Sequence, residues 1–168
     1  MSRAFVNEDH AAAQAEQPVE RRVSEQPNYV TAAGLRLLQQ RVAALNTQRE
    51  QLLAEGERAD KQQVANTESE LRYFAARAQS AQVVPPATSE QKVQIGSCVM
   101  FIDEDEQEHR VQLVGEDQAD ARQGLINWGS PLGRALLGAA PGDEVLWRRP
   151  AGDQLIVIAT IEPESQKA

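Results

Sequence analysis

Two carboxylates three residues apart, Glu57 and Asp60, stand in the acidic turn Glu55-Gly56-Glu57-Arg58-Ala59-Asp60, midway along a stretch of helical character. Carboxylate oxygens are the ligands that hard divalent cations such as Mg²⁺ accept. The i, i+3 spacing predicts that both acids lie on one face of a helical turn. Mg²⁺ dehydrates reluctantly, so two exposed carboxylates do not hold it tightly by themselves, and any such ion would be shared with a partner macromolecule. The plainer reading is a solvated turn whose acids are favoured by the positive end of the following helix. Arg58 and Lys61 would compete with a metal for the same oxygens. The rest of the chain offers little chemistry. His10 and His109 are far apart, and the single cysteine, Cys98, leaves no internal disulfide and no cysteine-based zinc site. Cys98 reads as a small core residue. The chain is therefore expected to lack a catalytic set of its own.

A helical hairpin over residues 29–82 would position the acidic turn. Thr31 is a plausible N-cap ahead of Ala32-Ala33-Gly34. Leu35 and then Leu38, Val42, Leu45 and Leu52, with Arg49 between, follow the spacing of a coiled-coil seam. The second arm carries Val64, Leu71, Phe74 and Ala78, while Thr67, Glu68 and Ser69 interrupt its seam and predict fraying near the tip. Gly56 is the one glycine between Gly34 and Gly96, at the point where the chain must leave a helix. The arginines Arg36, Arg41, Arg49, Arg72 and Arg77 punctuate both arms. They read as partners in surface ion pairs such as Glu68–Arg72 rather than as a basic face for RNA.

The 168 residues carry a net charge of −8. That balance opposes sequence-independent binding to duplex nucleic acid, which draws its affinity from Lys and Arg at phosphates, and no sequence-specific DNA contact is expected. No apolar run is long enough to span a membrane, and the N-terminus has no signal-like apolar region. With one cysteine, the expectation is a cytoplasmic protein. The hairpin can satisfy its own seam, which predicts a monomer.

Residues 1–28 are rich in Ala, Gln and Glu and read as a disordered tail. Pro85-Pro86-Ala87-Thr88-Ser89 marks a stiff linker over 83–91. Residues 92–162 alternate strand and turn signals: Val93 to Ile102, Arg110 to Val114, Leu125 to Trp128, Glu144 to Trp147 and Leu155 to Ile161. Ser130-Pro131 opens a short helix, with Ser at the N-cap and Pro at its first position. The predicted fold is thus an antiparallel coiled-coil hairpin followed by a small α+β domain.

Several segments carry a family resemblance. Ser130-Pro131-Leu132-Gly133-Arg134-Ala135-Leu136-Leu137-Gly138, followed by Pro141-Gly142-Asp143-Glu144-Val145, resembles the signature of the bacterial GreA/GreB transcription elongation factors. Tyr29-Val30-Thr31-Ala32-Ala33-Gly34, Ser80-Ala81-Gln82-Val83-Val84 and Val114-Gly115-Glu116-Asp117-Gln118-Ala119-Asp120 resemble further family segments in the same order. The resemblance implies an FKBP-like C-terminal domain that docks on RNA polymerase at its secondary channel through the loop of Gly129, Ser130 and Pro131. It implies that the hairpin enters the channel and that the tip acids, Glu57 and Asp60 with Glu55 and Arg58 beside them, share a Mg²⁺ with the polymerase at the nascent RNA 3′ end. The polymerase would then cleave backtracked transcript.

Three departures bear on that expectation. The family's tip reads G-D-x-x-E-N, whereas Gly56-Glu57-Arg58-Ala59-Asp60-Lys61 swaps the two acid types. Each arm is about one heptad shorter than the family's, which at 1.5 Å per residue withdraws the tip by roughly 11 Å. Gly129 stands where the family often has Asp. The alternative is therefore a non-cleaving competitor that occupies the channel without reaching the active site. A prolyl isomerase is a weaker reading, because the C-terminal region offers only Phe101, Trp128 and Trp147 to line an aromatic pocket. A coiled-coil interaction protein with another client is the third.

Overall fold

The computed structural model describes Pro18 and residues 20–165. They form two compact units: residues 39–79 with the described residues up to Ser24, and residues 25–38 with the chain from Ser80 onward. His10 and most of the segment read as a tail lie outside the described residues.

The hairpin arms are α1 (Ala32–Ala54) and α2 (Lys61–Ser80). Thr31 does cap α1: its Oγ1 accepts the Gly34 N–H at 3.0 Å. Leu38, Leu45 and Leu52, one heptad apart, are all buried. Ion pairs also bridge the two antiparallel arms, Arg41 to Glu70 at 2.8 Å and Arg49 to Glu68 at 3.2 Å. The expected Glu68–Arg72 ion pair does not form; Arg72 pairs with Glu20 instead.

The second arm differs from its sequence reading. Its buried residues are Thr67, Ser69, Tyr73 and Arg77, while Val64, Leu71, Phe74 and Ala78 are only half-buried. The helix runs unbroken through Thr67 and Ser69. The reason is a second cover on α2. Arg21 lies 4.2 Å above the Tyr73 ring, a cation–π contact. Pro18 and Arg21 also line one groove with Asn66, Ser69 and Glu70. Glu20 and Arg21, although exposed, thus find charged and aromatic partners on α2.

In the other unit, β1 (Tyr29–Val30) and β2 (Gln82–Val83) pair in parallel just before α1 and just after α2. Neither two-residue strand carries enough pattern to be read from sequence. A five-stranded mixed sheet follows, in the order β5-β4-β3-β7-β6. Its strands are β3 (Cys98–Ile102), β4 (Glu108–Val114), β5 (Leu125–Asn127), β6 (Glu144–Trp147) and β7 (Gln154–Glu162). Only the β4–β5 pair is parallel. Strand β3 starts later than the apolar run from Val93 suggests, because Gly96 turns the chain at φ 101°. Helix α3 (Pro131–Leu136) sets Leu132 and Leu136 against Val99, Phe101, Leu113, Ile156 and Ile158. This is the expected α+β architecture, and its core fixes both ends of the loop between β5 and α3. The expected linker ends on this unit, with Ala87 buried and the Thr88 and Ser89 N–H groups donating to Gln94 Oε1.

Candidate functional site

The tip is a single tight turn. Gly56 to Arg58 form a 3₁₀ turn, and Gly56 holds φ 60°, the left-handed region that glycine reaches without penalty. Ala59 then turns extended, with ψ 137°. This corrects the sequence reading that one helical turn carries both acids: an extended residue between them ends the i, i+3 relationship. Asp60 instead caps α2, its Oδ1 accepting the Gln62 N–H at 2.9 Å. Short acidic side chains suit that task because the first N–H groups of a helix lack partners within it.

Glu55, Glu57, Arg58 and Asp60 are all exposed. Among the described residues no Lys or Arg forms an ion pair with Glu57 or Asp60, so the competition expected from Arg58 and Lys61 is not realised in this conformation. The arms are different: Arg41, Arg49 and Arg72 each meet a carboxylate. The hydrogen bond to Arg72 also holds the Glu20 carboxyl below its ordinary range. No group of three or more His, Cys, Asp or Glu side chains suited to a metal occurs among the described residues. Two carboxylates are at most part of the oxygen set that a divalent cation requires.

The second candidate region is the loop between β5 and α3. Ser130 caps the helix as its sequence suggests, accepting the Gly133 N–H at 3.2 Å, and its hydroxyl donates to the Asn127 carbonyl at 2.7 Å. Pro131 occupies the first turn of the helix. Gly133 is a residue the sequence reading did not single out. A Cβ there would lie 2.3 Å from the Asn127 carbonyl oxygen, so only glycine lets the helix approach the loop this closely. A glycine inside a short helix was the available signal. Gly129 is held by its own N–H, which donates to Asn127 Oδ1 at 2.9 Å. Trp128 is half-buried and packs on Tyr29 with ring centroids 5.3 Å apart.

Beside the loop lies an open groove of about 410 Å³, lined by Gly129, Pro131, Arg134, Ala135, Leu146 and Arg148. Leu146 is exposed on the edge strand, and Arg134 and Arg148 form no ion pair among the described residues. The groove thus combines apolar Pro131, Ala135 and Leu146 with cationic Arg134 and Arg148.

Three further titratable groups, Asp103, His109 and Cys98, sit in β3, in β4 or at their ends. His109 Nε2 and Asp103 Oδ2 share a hydrogen bond of 2.7 Å, and the His109 ring stacks on buried Phe101 at 4.9 Å. Cys98 is half-buried, and burial pushes its thiol up, away from the reactive thiolate. No helix among the described residues is long and apolar enough to cross a membrane.

The family model described as "Transcription elongation factor, GreA/GreB, C-term" matches residues 88–163. The transcription elongation factor GreB of Neisseria meningitidis serogroup B is 31% identical over 156 residues, which cover 83% of this chain and 96% of that protein. The transcription elongation factor GreA of Novosphingobium aromaticivorans is 34% identical over 105 residues, covering 62% of this chain and 66% of that protein. The chain thus spans just under two thirds of that GreA protein's length. The crystal structure of GreA factor homolog 1 (Gfh1) of Thermus thermophilus is 23% identical, with a TM-score of 0.40 over 82% of this chain and 99% of that one. The GreB match runs through the hairpin as well as the sheet domain, and on it this chain belongs to the GreA/GreB family.

Proposed function

We propose that this chain is a transcription elongation factor that docks on bacterial RNA polymerase at the secondary channel, through the loop of Gly129, Ser130 and Pro131. It presents Glu57 and Asp60 to the polymerase active centre and stimulates cleavage of the 3′ end of backtracked RNA. The relatives named as transcription elongation factors support the role. The observation that carries the tip's part is the contrast in charge pairing. Arg41, Arg49 and Arg72 are each matched by a carboxylate along the arms, yet Glu57 and Asp60 stand exposed without a cation. Acids left uncompensated on a narrow turn are available to a metal that another macromolecule holds.

In this reading the chain is not itself an enzyme. A Mg²⁺ bound between factor and polymerase would stabilise the attacking and leaving oxygens of the displacement. The chain's own residues position and donate. Asp60 is fixed by its cap bond to Gln62, which leaves its second oxygen for the ion. Glu57 has the longer reach and no ion pair among the described residues. Pro131, Arg134, Leu146 and Arg148 supply the docking groove.

A second reading has one specific observation in its favour: the arms, 23 and 20 residues long, are shorter than the resemblance implies. Such a factor would occupy the channel and compete without cleaving. One experiment separates the readings: the chain is added to a defined backtracked elongation complex, alone and against a cleavage-active Gre factor. Shortened transcripts support the first reading, and suppression of the other factor without shortening supports the second. If the chain does neither and does not bind polymerase, both are wrong.

A further inference from the structure

Gly129 offers no side chain at the centre of the proposed docking loop, yet it is buried. Its cover comes from a residue 103 positions earlier in the chain. Gln26 Nε2 donates to the Gly129 carbonyl at 3.3 Å. A Cβ built on Gly129 would lie 2.1 Å from Gln26 Oε1, far inside any contact distance. The Gln26 amide therefore fills the volume that a side chain at position 129 would take.

Gln26 is held in that place from behind. Pro27 locks its own φ and restricts Gln26 to extended backbone. Asn28 is buried, and its Nδ2 donates to Ser80 Oγ at 3.0 Å. Tyr29 then packs on Trp128, the neighbour of Gly129. Asn127 holds the Gly129 N–H while Gln26 holds its carbonyl. Both backbone groups of the loop's central residue are thus tied before any partner arrives. A surface already in its bound conformation loses less freedom on docking.

We propose that Gln26 is a positioning residue of the docking loop, standing in for the side chain that Gly129 lacks, and that it raises the loop's affinity for RNA polymerase. This rests on the docking reading under Proposed function.

The test measures the affinity of the full chain for bacterial RNA polymerase, together with the thermal midpoint of the free chain. Wild type, Gln26→Ala, Gly129→Ala and the double variant are compared. Gln26→Ala is expected to weaken binding roughly three- to tenfold, because the freed loop must be ordered on docking, while loss of the intramolecular hydrogen bond lowers the free chain's midpoint by only about 2–4 °C. Gly129→Ala is expected to weaken binding because its methyl group meets the Gln26 amide. The double variant should bind no worse than Gln26→Ala alone, since removing the amide removes the collision. Unchanged or tighter binding by Gln26→Ala overturns the proposal, and tighter binding would make Gln26 a displaceable cover instead. Strictly additive losses in the double variant also overturn it. If wild type itself does not bind polymerase, the docking reading falls and this role falls with it; if wild type binds and Gln26 is indifferent, only this role is wrong.

Discussion

Asp60 accepts the backbone N–H of Gln62 at 2.9 Å, so one of the two tip carboxylates is also the cap of the second helix. Stability and the proposed chemistry therefore meet in one side chain, and the two can be separated by substitution. Asn caps a helix about as well as Asp, whereas Ala does not. Asp60→Ala should cost about 1 kcal/mol of stability, and Asp60→Asn only a few tenths. Urea unfolding of the three chains checks this. If both variants lose the same stability, charge rather than capping sets the contribution of Asp60.

Gly56 turns the tip at φ 60°, and a Cβ there would meet no atom within 4 Å. Its substitution is governed by backbone conformation alone. Gly56→Ala should cost about 1 kcal/mol, as left-handed backbone does for an L-residue. Gly56→Asn should cost less, because Asn tolerates that region. Thermal melts of both variants test the order; equal costs would mean the turn reshapes instead.

The hairpin should be held by its leucines rather than by its ion pairs. Arg41 and Glu70 are both about half exposed, at 48% and 50% of their side-chain surface. Such a pair contributes about 0.5 kcal/mol or less and is screened by salt. Leu45 is buried at 1% exposure, and its truncation to Ala should cost about 2–5 kcal/mol, independent of salt. Unfolding of Arg41→Ala and Leu45→Ala at low and high salt decides between them.

Acid should weaken the turn between β3 and β4. The hydrogen bond with His109, then the backbone N–H groups of Gln107 and Asp105, hold the Asp103 carboxyl below the usual aspartate value. A carboxylate whose folded pKa is lowered stabilises the fold above its unfolded pKa, and that contribution is lost as the pH falls through the folded value. Asp103→Asn should therefore be less stable than wild type at neutral pH. The gap should close as the pH drops below the ordinary aspartate range of 3.8. Urea midpoints measured for both chains across that range test the sign; a gap that widens in acid would contradict it.

Much of the frame was legible because its signals are local. The Leu38, Leu45 and Leu52 heptads, the Thr31 cap and the Ser130-Pro131 helix start each lie within a single helix or at its end. What escaped depends on contacts between distant residues. Ser69 and Tyr73 are buried because Pro18 and Arg21 come back to cover α2, and no periodicity in the second arm encodes that. Arg21 meets the Tyr73 ring through its guanidinium and Glu20 meets Arg72 through an ion pair, contacts that neither local sequence announces. The acid pair was found by type and spacing, yet its geometry was not, because the extended backbone at Ala59 follows from how the turn closes. The Gln26–Gly129 contact leaves no trace in either local sequence.

The central claim is that Glu57 and Asp60 act at the polymerase active centre. The most direct measurement is transcript cleavage in a defined backtracked elongation complex, comparing wild type with Glu57→Gln/Asp60→Asn. These substitutions keep the helix cap and remove both charges. Wild type is expected to speed cleavage, and the variant to bind polymerase equally well but to lose at least about tenfold of that stimulation. Wild type that binds without speeding cleavage, or a variant that cleaves as fast as wild type, would contradict it.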